Sequence, residues 1–246
     1  LALLGAAALA AALAAASAHA ARFAPSGENV HGLTSAAAAV TRSVPGRIAG
    51  TVTLTTSAAA RRAASVYSTR SVAPKTAPVG PETRKVIVYL SDVVPAAPPS
   101  PMRATIVQRG EQFIPPVVAV TVGSTVAFPN DDPLFHNVFS LSRAKTFDLG
   151  RYPSGESREQ RFARPGIVKV YCHIHSHMSA LIRVFEHPWF AIPEESGAFE
   201  LPDVPAGEHT LVAWHERIGE RRERIVVEPG KTTTVSFTLP VLDEEP

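Results

Sequence analysis

Beyond residue 45, apolar and polar positions alternate in short runs broken by Gly and Pro, which predicts short strands joined by turns. In 46–55, Ile48, Val52 and Leu54 fall on one side and Thr51, Thr53 and Thr55 on the other. Gly50 shares the apolar side, where a second backbone can approach closely. Val86 to Leu90 is apolar on both faces and reads as a central strand. Strands are expected again at Ala104–Gln108, Val117–Val122 and Thr125–Phe128, with a turn at Gly123-Ser124. The loop Phe128–Phe135 then delivers His136, and the Pro165-Gly166 turn opens a strand Ile167–Tyr171 that ends at Cys172. Ala180–Phe185 follows. Further on, Phe199 and Leu201 flank Glu200, Pro202–Gly207 is a turn, and His209–His215 puts Thr210, Val212 and Trp214 on one side. Arg224–Val227 and Thr232–Leu239 are predicted to form a hairpin of a half-buried antiparallel sheet across the Glu228-Pro229-Gly230-Lys231 turn. No helical repeat is sustained outside the alanine-rich start. The fold class expected is all-β, built of sandwiches.

A chain of 246 residues can hold one or two such cores. Residues 1–20, LALLGAAALAAALAAASAHA, form an apolar run ending in a small-x-small pattern, Ala18-His19-Ala20. This reads as the remains of a secretory signal peptide whose start is missing. An uncleaved membrane anchor is the alternative, since the run is nearly long enough to span. Either reading puts the protein in the periplasm or outside the cell. Residues 21–45 read as a flexible lead-in, 56–84 as a long loop, and the proline-rich 94–102 as a stiff linker. A net charge of +2 gives no sign of a nucleic-acid partner. Charge is uneven, with 9 basic and 3 acidic residues in 1–100 against 5 and 13 in 186–246, which fits solvated surfaces.

Against that background Cys172 stands out. It is the only cysteine, so an oxidising compartment offers it no partner in the chain. It opens Cys172-His173-Ile174-His175-Ser176-His177-Met178, a Cys-x2-His-x2-Met spacing, and His136 lies 36 residues upstream. Two imidazoles, a thiolate and a weak axial thioether are the donors of an electron-transfer copper site. Taken singly, the Cys and Met read as core residues and His136 as a loop residue; the combination lifts them above that. In an extended segment His173, His175 and His177 share one face. They would then make a different Zn2+ or Cu2+ site, with Cys172 a bystander, and His177 competes with His175 as the loop's ligand. Asp131 and Asp132 read as turn formers, too few for calcium. His187, His209 and His215 read as boundary or satisfied residues. No catalytic carboxylate pair, nucleophile triad or phosphate loop appears, so no enzyme is expected.

Residues 103–185 resemble the cupredoxins, the plastocyanin and amicyanin family. The resemblance rests on Val122-Gly-Ser-Thr-Val-Ala-Phe-Pro-Asn130, His136-Asn137-Val138, Pro165-Gly166, and Tyr171-Cys172 with His175 and Met178. It implies a Greek-key sandwich holding one type 1 copper ion on His136, Cys172, His175 and Met178. Asn137 would hydrogen-bond near the thiolate and tie the two loops; His173 and His177 are extra to the pattern. A weaker resemblance, resting on Gly197-Ala-Phe-Glu-Leu-Pro-Asp-Val-Pro-Ala-Gly207 and the Pro229-Gly230-Lys231 turn, links 46–93 and 186–243 to the carboxypeptidase regulatory-like, transthyretin-like sandwich. The copper domain would then be inserted in that host, entered through 94–102 and left near 186–189; a tandem arrangement is the simpler alternative. The implied function is a periplasmic or secreted carrier of single electrons, serving a redox protein partner that the residues do not name. A copper-handling protein without such a partner, or a structural surface-binding sandwich, are the alternatives. A membrane enters only if the leader is uncleaved.

Overall fold

The computed structural model describes residues 44–56 and 82–241; the 1–20 leader and most of the expected lead-in and 56–84 loop lie outside them. In chain order the strands are β1 (Gly46–Thr56), β2 (Val86–Leu90), β3 (Arg103–Thr105), β4 (Val107–Gln108), β5 (Phe113–Ile114) and β6 (Val117–Thr121). Then come β7 (Thr125–Pro129), β8 (His136–Ser142), β9 (Lys145–Tyr152), β10 (Ser157–Arg161), β11 (Gly166–Tyr171) and β12 (Ser179–Phe185). The last are β13 (Phe190–Ala191), β14 (Ala198–Val204), β15 (Gly207–His215), β16 (Gly219–Val227) and β17 (Thr232–Val241). A 3₁₀ turn at Glu82–Lys85 precedes β2, and no α-helix occurs among the described residues. The protein is all-β, as its alternation predicts.

Residues 103–185 supply a three-stranded sheet, β10-β7-β3, and a five-stranded sheet, β6-β12-β11-β8-β9. They share a core that includes Val120, Val126, Phe128, Val138, Val170 and Ile182. Strands before and after that stretch supply sheets β14-β1-β17 and β13-β2-β15-β16, around Ile48, Val88, Leu201, Leu211 and Phe237. A third cluster joins the two assemblies: Ile87, Tyr89, Val117, Leu181, Phe185 and Val212.

The period-2 rule explains how β2 and β12 serve two cores at once. In β2, Val86, Val88 and Leu90 face one core and Ile87 and Tyr89 the other, so all five are buried. In β12, Ala180, Ile182 and Val184 face inward while Leu181 and Phe185 join the third cluster. Each fully buried aliphatic side chain contributes roughly 1.5–3 kcal/mol, so these two strands fasten the halves together. Gly50 sits where its sequence position suggests: a Cβ there would meet the Val235 carbonyl oxygen at 1.9 Å.

Two expectations are corrected. Ala104–Gln108 is not one strand, because Ile106 turns into the core between β3, which pairs with β7, and β4, which pairs with β5. The 224–239 hairpin is not formed either. β16 pairs with β15, and β17 runs parallel to β1 with Phe237 opposite Val52. Ile225 and Val227 on one sheet and Val235 and Phe237 on the other face the same core, so the turn carries the chain across the sandwich. Chain 45–47 takes the bonds near the turn: Arg47 N–H donates to Lys231 O and Gly230 N–H to Pro45 O.

Candidate metal centre

Three neighbouring strands, β12-β11-β8, end together at one edge of the sandwich. β8 begins with His136, β11 stops one residue before Cys172, and β12 starts one residue after Met178. Tyr171 pairs with both Phe139 and Ser179, which sets the three ends side by side. The intervening loop closes on itself, with Met178 N–H donating to His175 O (2.9 Å) and Cys172 N–H to Met178 O (3.3 Å).

This brings His136, Cys172 and His175 together. Cys172 Sγ lies 3.9 Å from His136 Nδ1 and 3.9 Å from His175 Nδ1, and the two nitrogens are 3.1 Å apart. A point equidistant from three atoms so placed lies about 2.1 Å from each, inside the bond range of a metal held by imidazole and thiolate. The donor set therefore fits a metal ion without rearrangement. Met178 is buried in the same core cluster as Cys172. His136 is fully buried, whereas the His175 side chain keeps 18% of its surface exposed.

His173 and His177 point elsewhere. The His173 ring stacks on Phe139 with centroids 3.6 Å apart, and its Nε2 lies 3.9 Å from Asp148. His177 is half-exposed beside Glu111, Nε2 to carboxylate 3.6 Å. The loop is not an extended strand, so the three alternate histidines do not share a face. Asn137 Oδ1 accepts from His173 N–H (3.3 Å) and its Nδ2 donates to Asp148 (2.7 Å), so it links the Cys172 loop to β9. The Asp148 carboxyl is held below its ordinary range by the Gly150 N–H, against a burial penalty, with Asn137 and His173 adding to the pull.

Asp132 has a role its sequence position does not announce. It is buried, and its Oδ2 accepts from His136 Nε2–H at 2.7 Å, which leaves Nδ1 as the lone-pair donor facing Cys172. Its carboxylate also accepts from the N–H groups of Gly110 (2.5 Å) and Glu111 (2.9 Å). Both donors have positive φ, 62° and 55°, the signature of a two-residue type I′ turn between β4 and β5. Burial opposes ionisation of Asp132, but the Glu111 N–H, His136 and the Gly110 N–H outweigh it and hold the carboxyl below its usual range. The available signals were Gly110 between two short apolar strands and an acid four residues before a histidine.

No family model matches the chain, and no curated protein matches it. Among solved structures, part of the chain is similar to a purple cupredoxin from Nitrosopumilus maritimus, at 27% identity and a TM-score of 0.31, over 33% of this chain and 98% of that one. It is also similar to a reduced amicyanin variant, at 20% identity and a TM-score of 0.31, over 33% of this chain and 81% of that one. With a copper-containing nitrite reductase from Thermus scotoductus SA-01 it shares 26% identity at a TM-score of 0.33, over 46% of this chain and 28% of that enzyme.

Proposed function

We propose that this protein is a type 1 copper protein that carries single electrons, with one ion held by His136, Cys172, His175 and Met178. The observation that carries this reading is the triangle of Cys172 Sγ, His136 Nδ1 and His175 Nδ1. A thiolate and a thioether suit Cu(I) and imidazoles suit both oxidation states, so this donor set favours copper over a hard ion. Copper, when bound, supplies a one-electron couple. The chain's own contribution is rigidity. Asp132 fixes the tautomer and tilt of His136, and Asn137 ties the Cys172 loop to β8. Burial of Cys172, His136 and Met178 keeps water off the centre. The half-open edge of His175 is the shortest way out for an electron, and exposed Leu134, Phe135 and Ile174 lie on the two loops around it, which suits docking of a redox protein. Four protein donors leave no position for a substrate, so no enzymatic role is proposed.

The remaining expectations belong to the same proposal. The copper domain, 103–185, is inserted in a host sandwich built from 46–93 and 186–243; this is supported by β1 and β2 pairing with strands that follow it. The apolar start of the chain supports a periplasmic or secreted location. A second reading, copper handling without a redox partner, is favoured by His177 and Glu111 beside the open edge of His175.

The test is to add Cu(II) to the purified chain and record its visible spectrum. An intense thiolate-to-copper band at one ion per chain, absent in Cys172→Ser, is the expected result. Weak binding that survives Cys172→Ser rejects the proposal. Given the band, fast electron self-exchange selects the carrier, and ready release of the ion to a chelator selects the handler.

A further inference from the structure

The turn between β4 and β5 stands behind both imidazoles of the proposed site. The N–H groups of Gly110 and Glu111 hold Asp132, whose carboxylate backs His136. The Glu111 side chain serves the second imidazole. Its Oε2 lies 3.9 Å from His175 Nε2 and 3.6 Å from His177 Nε2. His175 Nδ1 faces Cys172 Sγ and His136 Nδ1, so as a ligand through Nδ1 it carries its proton on Nε2, beside Glu111. Glutamate is an ill-suited residue for this backbone. Its φ is 55°, and it occupies the second central position of the turn, which glycine fills at lower cost. What glutamate adds there is a carboxylate on a stem long enough to reach the rim of the site.

We propose that Glu111 is a positioning residue for His175 that holds the copper couple toward Cu(II). The inference rests on the copper reading above. Oxidation of the ion by one electron raises the positive charge of the site, and the His175 ring carries part of that charge. A carboxylate beside Nε2 favours the more positive state. The His175 side chain keeps 18% of its surface exposed and that of Glu111 keeps 43%, so water and salt weaken the effect without cancelling it. One turn thus sets the outer nitrogen of both imidazoles: Asp132 fixes the buried ring, and Glu111 biases the half-open one.

Spectroelectrochemical titration of the copper-loaded full chain tests this in three variants. Glu111→Gln and Glu111→Gly are each expected to shift the balance of Cu(II) and Cu(I) at least threefold toward Cu(I) at a fixed applied potential. That is a rise of about 28 mV, at 59 mV per tenfold for one electron. The thiolate-to-copper band should keep its position, and the shift should shrink in ~1 M salt, as a charge effect does. Glu223→Gln removes one carboxylate from β16 of the other sandwich and is expected to leave the potential unchanged. Absence of the band in the unsubstituted chain rejects the copper reading and this proposal with it. A band with an unchanged potential in both Glu111 variants, or an equal shift in Glu223→Gln, overturns the role of Glu111 and leaves the copper reading standing.

Discussion

His136 and His215 are both buried, both lie at strand ends, and both donate Nε2–H to a carboxylate, Asp132 and Glu82 respectively. They differ at the other ring nitrogen. His215 Nδ1 is taken by two backbone N–H groups, from Arg217 and Ile218. Among the described residues His136 Nδ1 meets no backbone donor, and it faces Cys172 Sγ and His175 Nδ1. One histidine is a closed structural joint, and the other is the proposed ligand. Burial and a carboxylate partner therefore do not distinguish a metal site from a fold contact; the free lone pair does.

The strongest way to break the contrast is to delete each ring in turn. His136→Ala should lower copper affinity by more than ~100-fold, exceeding the loss usual for a supporting residue, because a donor itself is gone. His215→Ala should leave copper stoichiometry and the visible band intact. It should instead cost about 1–3 kcal/mol of stability, since two backbone N–H groups lose their acceptor and Glu82 loses one of its partners in a part-buried site. Copper titration and urea unfolding of both variants check this. A loss of copper in His215→Ala at normal stability would mean that the two regions are coupled in a way these contacts do not provide.

The carboxylates sharpen the same contrast at smaller scale. Asp132→Asn keeps one acceptor oxygen, for Glu111 N–H and His136 Nε2–H, turns the other position into an NH2 donor facing Gly110 N–H, and removes the charge behind His136. Copper affinity should fall about 10–100-fold. Glu82→Gln should not move it at all. Competition with a copper chelator measures both.

What was legible in the sequence follows the same physics. The strands β1, β7 and β11 announce themselves by alternation because one face excludes water, and β2, β6 and β12 by apolar runs because both faces are covered. β10, Ser157–Arg161, carries no apolar residue and lies at a sheet edge, held to β7 by backbone bonds that leave no mark on hydropathy. The proposed donors His136, Cys172, His175 and Met178 could be named from spacing and resemblance because sulfur donors are scarce in this chain. Asp132 could not. Its role depends on a tight turn at Gly110-Glu111, 22 and 21 residues away, that aims two N–H groups at its carboxylate. Likewise β17 pairs with β1 across some 180 residues, a choice that local turn chemistry at Pro229-Gly230 does not encode.

The finest test of the closed histidine is its proton. Burial holds the His215 pKa below its ordinary value, against the opposing pull of Glu82, and Arg217 and Lys85 nearby push the same way as burial. His187, packed between Phe185 and Trp189, is lowered by burial as well. Above about pH 6.5 both histidines are neutral folded or unfolded, and their contribution is fully present. As pH falls through that value the unfolded chain takes up protons that the folded chain refuses, so stability declines until the folded values are reached. The carboxyls of Glu82, Asp132 and Asp148, all held low, act in a separate window: their contribution is present above about pH 4 and is lost below it. The urea midpoint of the metal-free chain should therefore drop between pH 7 and pH 5, before the carboxylate window opens. His215→Gln has no proton to refuse and should flatten part of that drop, leaving the share due to His187. An identical slope in the variant would mean that His215 takes its proton in the folded state, and its joint with Glu82 would then be an ion pair.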